Sequence, residues 1–219
     1  MTARVTGRRR TARFFSTHKF KVIVAAGIVM LIVCAKPLMI RLCAFLDMPS
    51  TDQPSEMMIV EGGYGLSNYT MTAAIDVYRR GLAGKMVITL HSYDKQPDIF
   101  GIDHYERYVA AALDSLGVPR SDVRIMLIEV DEPFTYHAAR ALSDSLPNIE
   151  SLLVFSDNFH IRRSFLTYQK VFSERRVIVR PFSIPIYLNA HNWWHSLNGW
   201  RRVFDEYVKL GYYRLKGYI

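Results

Sequence analysis

Cysteine is almost absent from this chain: 219 residues contain two, Cys34 and Cys43. Both lie in or beside the one long apolar run, so the body that follows has neither a disulfide nor a thiol nucleophile. Acidic residues are missing from the first 46 positions, where nine of the 28 Lys and Arg residues fall, beginning with Arg4 and Arg8. The rest of the chain holds 19 bases against 20 acids. The formal charge of +8 is thus a property of the front end. A near-neutral body lacks the basic footprint that a phosphate backbone demands, which argues against nucleic acid as a partner. Sequence signatures are missing too. There is no G-x-S-x-G elbow for a serine hydrolase. Glu61-Gly62-Gly63-Tyr64-Gly65 does not have the dinucleotide spacing, so no motif names a cofactor and that question stays open. His191 and His195 are spaced i, i+4, but without H-E-x-x-H or a cysteine pair no metal site is expected.

What is present begins with residues 22–35, fourteen apolar residues without a break, followed by Lys36 and Pro37. A span needs about 20 residues, and counting 20–40 reaches that length, with Lys36 close enough to one end to carry its ammonium to the interface. The competing reading is a cleaved signal peptide. It lacks a small-x-small site, because Lys36-Pro37 and Leu42-Cys43 occupy the relevant places. Val33 before Cys34 and an isolated Arg9-Arg10 fit neither a lipoprotein nor a twin-arginine signal. The expectation is a basic cytoplasmic leader over 1–19, an uncleaved single-pass anchor in the plasma membrane over 20–46, and an exported domain, since seven bases precede the run.

Residues 47–55, with two prolines and no periodicity, read as a linker. Strand and helix signals then alternate over 56–219. Short apolar runs at 57–61, 85–90, 123–130, 151–155 and 176–179 are separated by helical spacing at 69–80, 104–116, 135–146 and 159–172. Five such runs between helices predict an α/β, Rossmann-like doubly wound domain, with a mostly parallel five-stranded sheet covered on both faces. From Trp193 onward a last amphipathic helix carries every tryptophan and several tyrosines. It reads either as packing across the domain or as an aromatic belt at the membrane surface.

In such a sheet, ligands bind beyond the carboxyl ends of the strands, where strand order reverses. Those ends carry Glu61-Gly62-Gly63, His91-Ser92, Asp131-Glu132 with Thr135, and Ser156-Asp157-Asn158-Phe159-His160, with Arg162 and Arg163 in the next helix turn. Each has two readings. Gly62 and Gly63 either let a ligand approach the backbone or only turn the chain. His160 is either a general acid/base and anion donor or a helix cap. Thr135 is a ligand contact or a cap. Glu61, Asp157, Asp131 and Glu132 are catalytic carboxylates or solvated loop acids. Of the two arginines, Arg163 lies on the face of His160, three residues on, while Arg162 points about 100° away. The candidate set is therefore His160, Asp157 and Glu61 for chemistry, and Gly62, Gly63, Thr135, Arg162 and Arg163 for an anionic or polyhydroxylated ligand.

These residues also carry a resemblance. Val60-Glu61-Gly62-Gly63, Leu116-Gly117-Val118-Pro119, Phe134-Thr135-Tyr136-x-Ala138-Ala139 and Ser156-Asp157-Asn158-Phe159-His160-Ile161-Arg162-Arg163-Ser164, in this order, resemble the successive blocks of the YdcF-like (SanA/ElyC/YdcF) family of bacterial envelope proteins. Trp193-Trp194-His195-Ser196-Leu197-Asn198-Gly199, with Glu206 further on, is similar to the end of its membrane-anchored branch. The resemblance covers about 56–215. It implies a Rossmann-like fold, an N-terminal membrane segment and a role in cell-wall or peptidoglycan-related processes, on an envelope glycan or lipid-linked precursor. The chain departs from the family at Asn68-Tyr69-Thr70-Met71, where many members have an arginine, and at Leu90-His91-Ser92-Tyr93, where many have paired glycines. Two other readings stand beside it. One is a non-catalytic scaffold that organises partners near the bilayer through the aromatic tail. The other is a transferase with a nucleotide or adenosyl cofactor, resting on the fold alone.

Overall fold

The computed structural model describes residues 9–63, 66–92, 102–129, 131–146 and 148–219. Arg4 and Arg8 of the leader, Tyr64, Gly65, Tyr93 and Val130 lie outside the described residues. The strands are β1 (Ser55–Gly63), β2 (Ala83–Ser92), β3 (Val123–Glu129), β4 (Ser151–Asp157) and β5 (Ile178–Ile184). The helices are α1 (Arg9–Leu46), α2 (Asn68–Arg79), α3 (Ile102–Ser115), α4 (Phe134–Ser145), α5 (Ile161–Phe172) and α6 (Leu197–Lys216). All strand pairs are parallel, in the order β3-β2-β1-β4-β5. The fold is the expected doubly wound α/β sheet, parallel throughout.

Alternate residues of each strand feed opposite cores, as a pleat requires. Met58 and Val60 of β1, with Leu153 and Phe155 of β4, pack toward α2 and α3. Ile59, Leu152 and Val154 pack toward α4 and α5. Burial on both faces is why these strands read as unbroken apolar runs. The chain steps outward from β1 to β3 and then returns through α4 to the far side of β1. Strand order therefore reverses between β1 and β4, and the site grows from the carboxyl ends of those two strands.

The fifth strand differs from expectation. It runs over Ile178–Ile184 rather than 176–179, with Arg176 in the left-handed region at φ 58° closing the preceding turn. Pro181 sits inside it opposite Val154. A proline lacks the ladder N–H and is tolerated because β5 is an edge strand. Residues 47–54 carry no helix or strand, yet they are fixed to that edge. Thr51 N donates to Pro181 O at 3.1 Å, and Ser183 N donates to Ser50 Oγ at 2.9 Å. An otherwise open row of backbone groups is thereby covered.

Helix α1 contains a stretch, His18–Leu46, that is long and apolar enough to cross a membrane. Its last turns dock on the domain, where Cys43 and Leu46 are buried with Phe159, Trp193 and Val203. Helix carbonyls at this end attract donors. Trp193 Nε1 donates to Met39 O and Tyr207 Oη to Leu42 O, both at 2.9 Å, and Arg162 Nε donates to Phe45 O. The aromatic tail is largely a packing element here, with Trp193 wholly buried.

Two glycines are fixed by close approach. A Cβ on Gly62 would lie 2.8 Å from Thr89 O, and one on Gly199 would lie 1.9 Å from Trp193 O. Gly62→Ala should destabilise the protein by about 1–3 kcal/mol in denaturant unfolding, and Gly199→Ala by more. Gly211→Ala, on α6 with open space around it, should be neutral or stabilising by up to about 1 kcal/mol.

Candidate functional site

The turn between β4 and α5 builds the site. Asp157 Oδ1 accepts from the backbone N–H of Phe159 at 2.9 Å and of His160 at 3.2 Å. One oxygen of the expected catalytic Asp157 is thus committed to shaping the turn, and its Oδ2 lies 3.7 Å from Arg202 Nη1. His160 immediately precedes α5 and makes no cap bond with its side chain, so its ring is left for other partners. Nε2 lies 3.2 Å from Glu61 Oε2 at the end of β1, and Nδ1 lies 3.5 Å from Glu206 Oε2 on α6.

Arg163 is buried and bonds through all three of its guanidinium nitrogens. Nε and Nη2 grip Glu206 at 2.9 and 3.0 Å, Nη1 reaches Thr135 Oγ1 at 2.9 Å, and Nη2 lies 2.8 Å from His160 Nδ1. Its guanidinium also stands 5.0 Å over the Tyr213 ring, a stabilising cation–π placement. Thr135 is therefore not a cap. It is buried one residue inside α4, and its hydroxyl serves Arg163. Ser164 Oγ donates to Glu61 Oε2. The result is a cluster of two carboxylates, one histidine and one arginine, drawn from β1, α5 and α6 and walled by α4.

The cluster sets its own proton states. Burial and the Arg163 guanidinium press the His160 pKa down, but Glu206 and Glu61 outweigh both and lift it from 6.5 to about 9. Burial favours the neutral acid in both carboxylates. The His160 charge and its hydrogen bond override this at each, joined at Glu61 by the Ser164 bond and the Arg163 charge and at Glu206 by the Arg163 bonds and charge, so Glu61 falls below the usual carboxylate range and Glu206 well below it. A 2.8 Å contact from an always-charged Arg163 requires a lone pair on Nδ1. The geometry is thus that of the neutral ring, with its proton on Nε2 facing Glu61. In the imidazolium that the carboxylates favour, Nδ1–H has Glu206 Oε2 as its acceptor, 3.5 Å away. His160 has a partner in either state. Nearby, burial holds His91 at the end of β2 below its ordinary pKa. The Tyr168 hydroxyl is raised well above its own by burial and the Glu61 charge.

Of the remaining candidates, Gly62 lies at a register shift in the β1–β2 pairing and is held to the β2 backbone, with Gly63 opposite Leu90. That close approach is what requires a glycine at 62. Arg162 faces the foot of α1, over the Phe45 ring at 4.4 Å, rather than a ligand position. Asp131 and Glu132 are exposed, and no described contact joins them to the cluster. Glu206 was not among the sequence candidates. Its signal was a carboxylate on the inward stripe of α6, in line with the buried Gly199, Val203 and Tyr213.

A cavity of about 390 Å³ opens against this cluster, with His160, Arg163 and Glu206 on one wall and Arg201, Arg202 and Lys209 of α6 at its mouth. A second cavity, of about 520 Å³, lies across the same turn, among Cys43, Asp47, Asn158, Ser183 and His191. None of the cluster residues lines it, so the smaller cavity is the one beside the cluster. No protein-family model matches the chain, and no curated protein matches it.

Removing one partner of the buried pair should be costly. Arg163→Met, which strands Glu206, should destabilise by about 3–5 kcal/mol, and Arg163→Met with Glu206→Leu by clearly less than the sum of the two single changes in a double-mutant cycle. The pH response has a defined sign. A histidine whose folded pKa stands above 6.5 stabilises fully below that pH, and the contribution is lost as pH rises through about 9. Denaturant unfolding should show this alkaline loss, on the order of 3 kcal/mol, and His160→Gln should abolish it. The acid limb, from Glu61 and Glu206, should set in as pH falls below about 4.5 and should shrink in His160→Gln, which removes the charge that lowers both.

Proposed function

We propose that the chain is a membrane-anchored envelope protein of the YdcF-like type, whose pocket at the strand ends takes an anionic or glycan-type ligand. The observation that carries this reading is the 390 Å³ cavity beside the β1–β4 reversal, where five basic side chains line the walls with three carboxylates. An excess of positive charge around a polar, partly enclosed cleft favours an anion, and hydroxyl-bearing ligands are matched by the interspersed carboxylates. In the proposed chemistry, His160 as imidazolium is the proton donor, with ionised Glu61 and Glu206 as its counter-charges and Arg163 holding Glu206 in place. The apolar α1 supports the anchor. The basic leader supports a cytoplasmic N-terminus with the domain on the opposite side.

The probe is N-acetylglucosamine 1-phosphate, which joins both chemistries, titrated into the full chain in detergent by calorimetry. Inorganic phosphate and free N-acetylglucosamine serve as separate arms. Arg202→Ala, at the mouth, should weaken binding roughly ten-fold or more, as loss of a charged hydrogen bond does, and His160→Gln should weaken it as well. Absence of binding in all three arms, or binding indifferent to both substitutions, would count against the pocket.

A further inference from the structure

Helix α6 has a second face. At 3.6 residues per turn, Leu197, Phe204, Val208 and Leu215 fall within roughly 40° of one another and roughly opposite the inward set of Gly199, Val203, Glu206 and Tyr213. They are 86%, 59%, 71% and 88% exposed. Four large apolar side chains in line on a helix of 20 residues form a patch that a water-facing surface does not ordinarily keep.

The position of α6 says what covers it. Tyr207, on the flank between the inward face and the stripe, bonds Leu42 O and stacks on Phe45 at 5.9 Å between ring centres. Those residues lie two and five positions beyond Ile40, the end of the 20–40 stretch counted as the span. At 1.5 Å per residue, α6 therefore crosses α1 within about 8 Å of the hydrocarbon edge. With α1 at its flank and the domain on its inward side, the stripe is turned away from the domain. Exposed Arg201, Arg214 and Lys216 lie on the same helix, with stems long enough to reach anionic headgroups while apolar side chains enter the boundary. We infer that α6 is an interfacial helix: its outer stripe docks on an anionic phospholipid bilayer while its inner face supplies Glu206 to the cluster. The inference rests on α1 being a membrane anchor.

The test uses the full chain in liposomes of phosphatidylcholine and phosphatidylglycerol, with an environment-sensitive label on single cysteines and nitroxide lipids as quenchers at shallow or deep positions. Exposed native Cys34 reports the span; Cys43 is buried. Val208→Cys reports the stripe and Glu174→Cys a distant exposed site, both in a Cys34→Ser background. Shallow nitroxides should quench the label at 208 roughly two-fold or more over that at 174, and deep nitroxides should quench the label at Cys34. Leu197→Asp with Leu215→Asp should cut quenching at 208 without altering the melting curve. If Cys34 is quenched and 208 is no different from 174, α6 faces water and the inference is overturned while the anchor stands. Energy transfer between labels at 208, without lipid quenching, would mark a second copy on the stripe and equally overturn it. Lack of deep quenching at Cys34 removes the anchor, and the inference with it.

Discussion

A buried guanidinium cannot shed its proton, so the protein around Arg163 has to be built to receive five N–H donors. That single demand organises the molecule. Glu206 must come in from α6, Thr135 from α4, and the His160 ring from the turn before α5. A helix held by a two-point grip on a buried arginine has little freedom to slide, because misplacing it would leave both charges unpaired out of water. Once α6 is placed, its neighbouring face presents Tyr207 to the end of α1, and Trp193, just ahead of α6, presents its indole. The orientation of α1 relative to the sheet thus follows, through two helices, from one side chain.

The same cluster also limits what the site can do. Two carboxylates and one arginine carry a net negative charge, and the histidine brings the set to neutrality by holding a proton. That is why its pKa climbs even though it is buried. A proton retained for charge balance is held more tightly than one at a solvated histidine. It is surrendered when a further positive charge enters the cavity, or when Glu206 gains another cation. Lys209 Nζ already lies 3.8 Å from Glu206 Oε1. An incoming anion works the other way and strengthens the imidazolium. Binding of a negative ligand and protonation of His160 are thus linked, and the groups that fix the fold are the groups that tune the pocket.

Much of this was legible from residue order alone. Buried parallel strands advertise themselves as continuous apolar runs, and His160 with Arg163 at i, i+3 share a face on any helix that starts there. What stayed hidden depended on contacts between distant segments. Glu206 lies 43 residues beyond Arg163, and only the closing of α6 over the strand ends makes it a partner. Arg162 looks equivalent to its neighbour in sequence, yet one step around the helix sends it to the carbonyls of α1. Asp157 has the composition of a catalytic acid and spends one oxygen on a turn. Pro181 made the fifth strand appear to stop early, because a proline is costly in a central strand and the edge position of β5 emerges only with the full topology.

The segment from Asp157 to His160 shows how little separates a structural turn from a site. Its four residues divide the ends of β4 and β5 into two cavities, with Asp157 and His160 facing the basic one and Asn158 the one at the foot of α1. The Asn158 amide is fixed by donation to Leu188 O at 3.3 Å and its backbone N–H by donation to Ile184 O at 3.0 Å. The turn is therefore clamped from the α1 side while its histidine is held from the α6 side. A displacement of α1 relative to the sheet would be transmitted to Arg162 and the Leu188 segment, and a displacement of α6 to Glu206. Both lead to the same four residues. The basic cavity on one side and the cavity at the foot of α1 on the other are, for this reason, two consequences of one short turn.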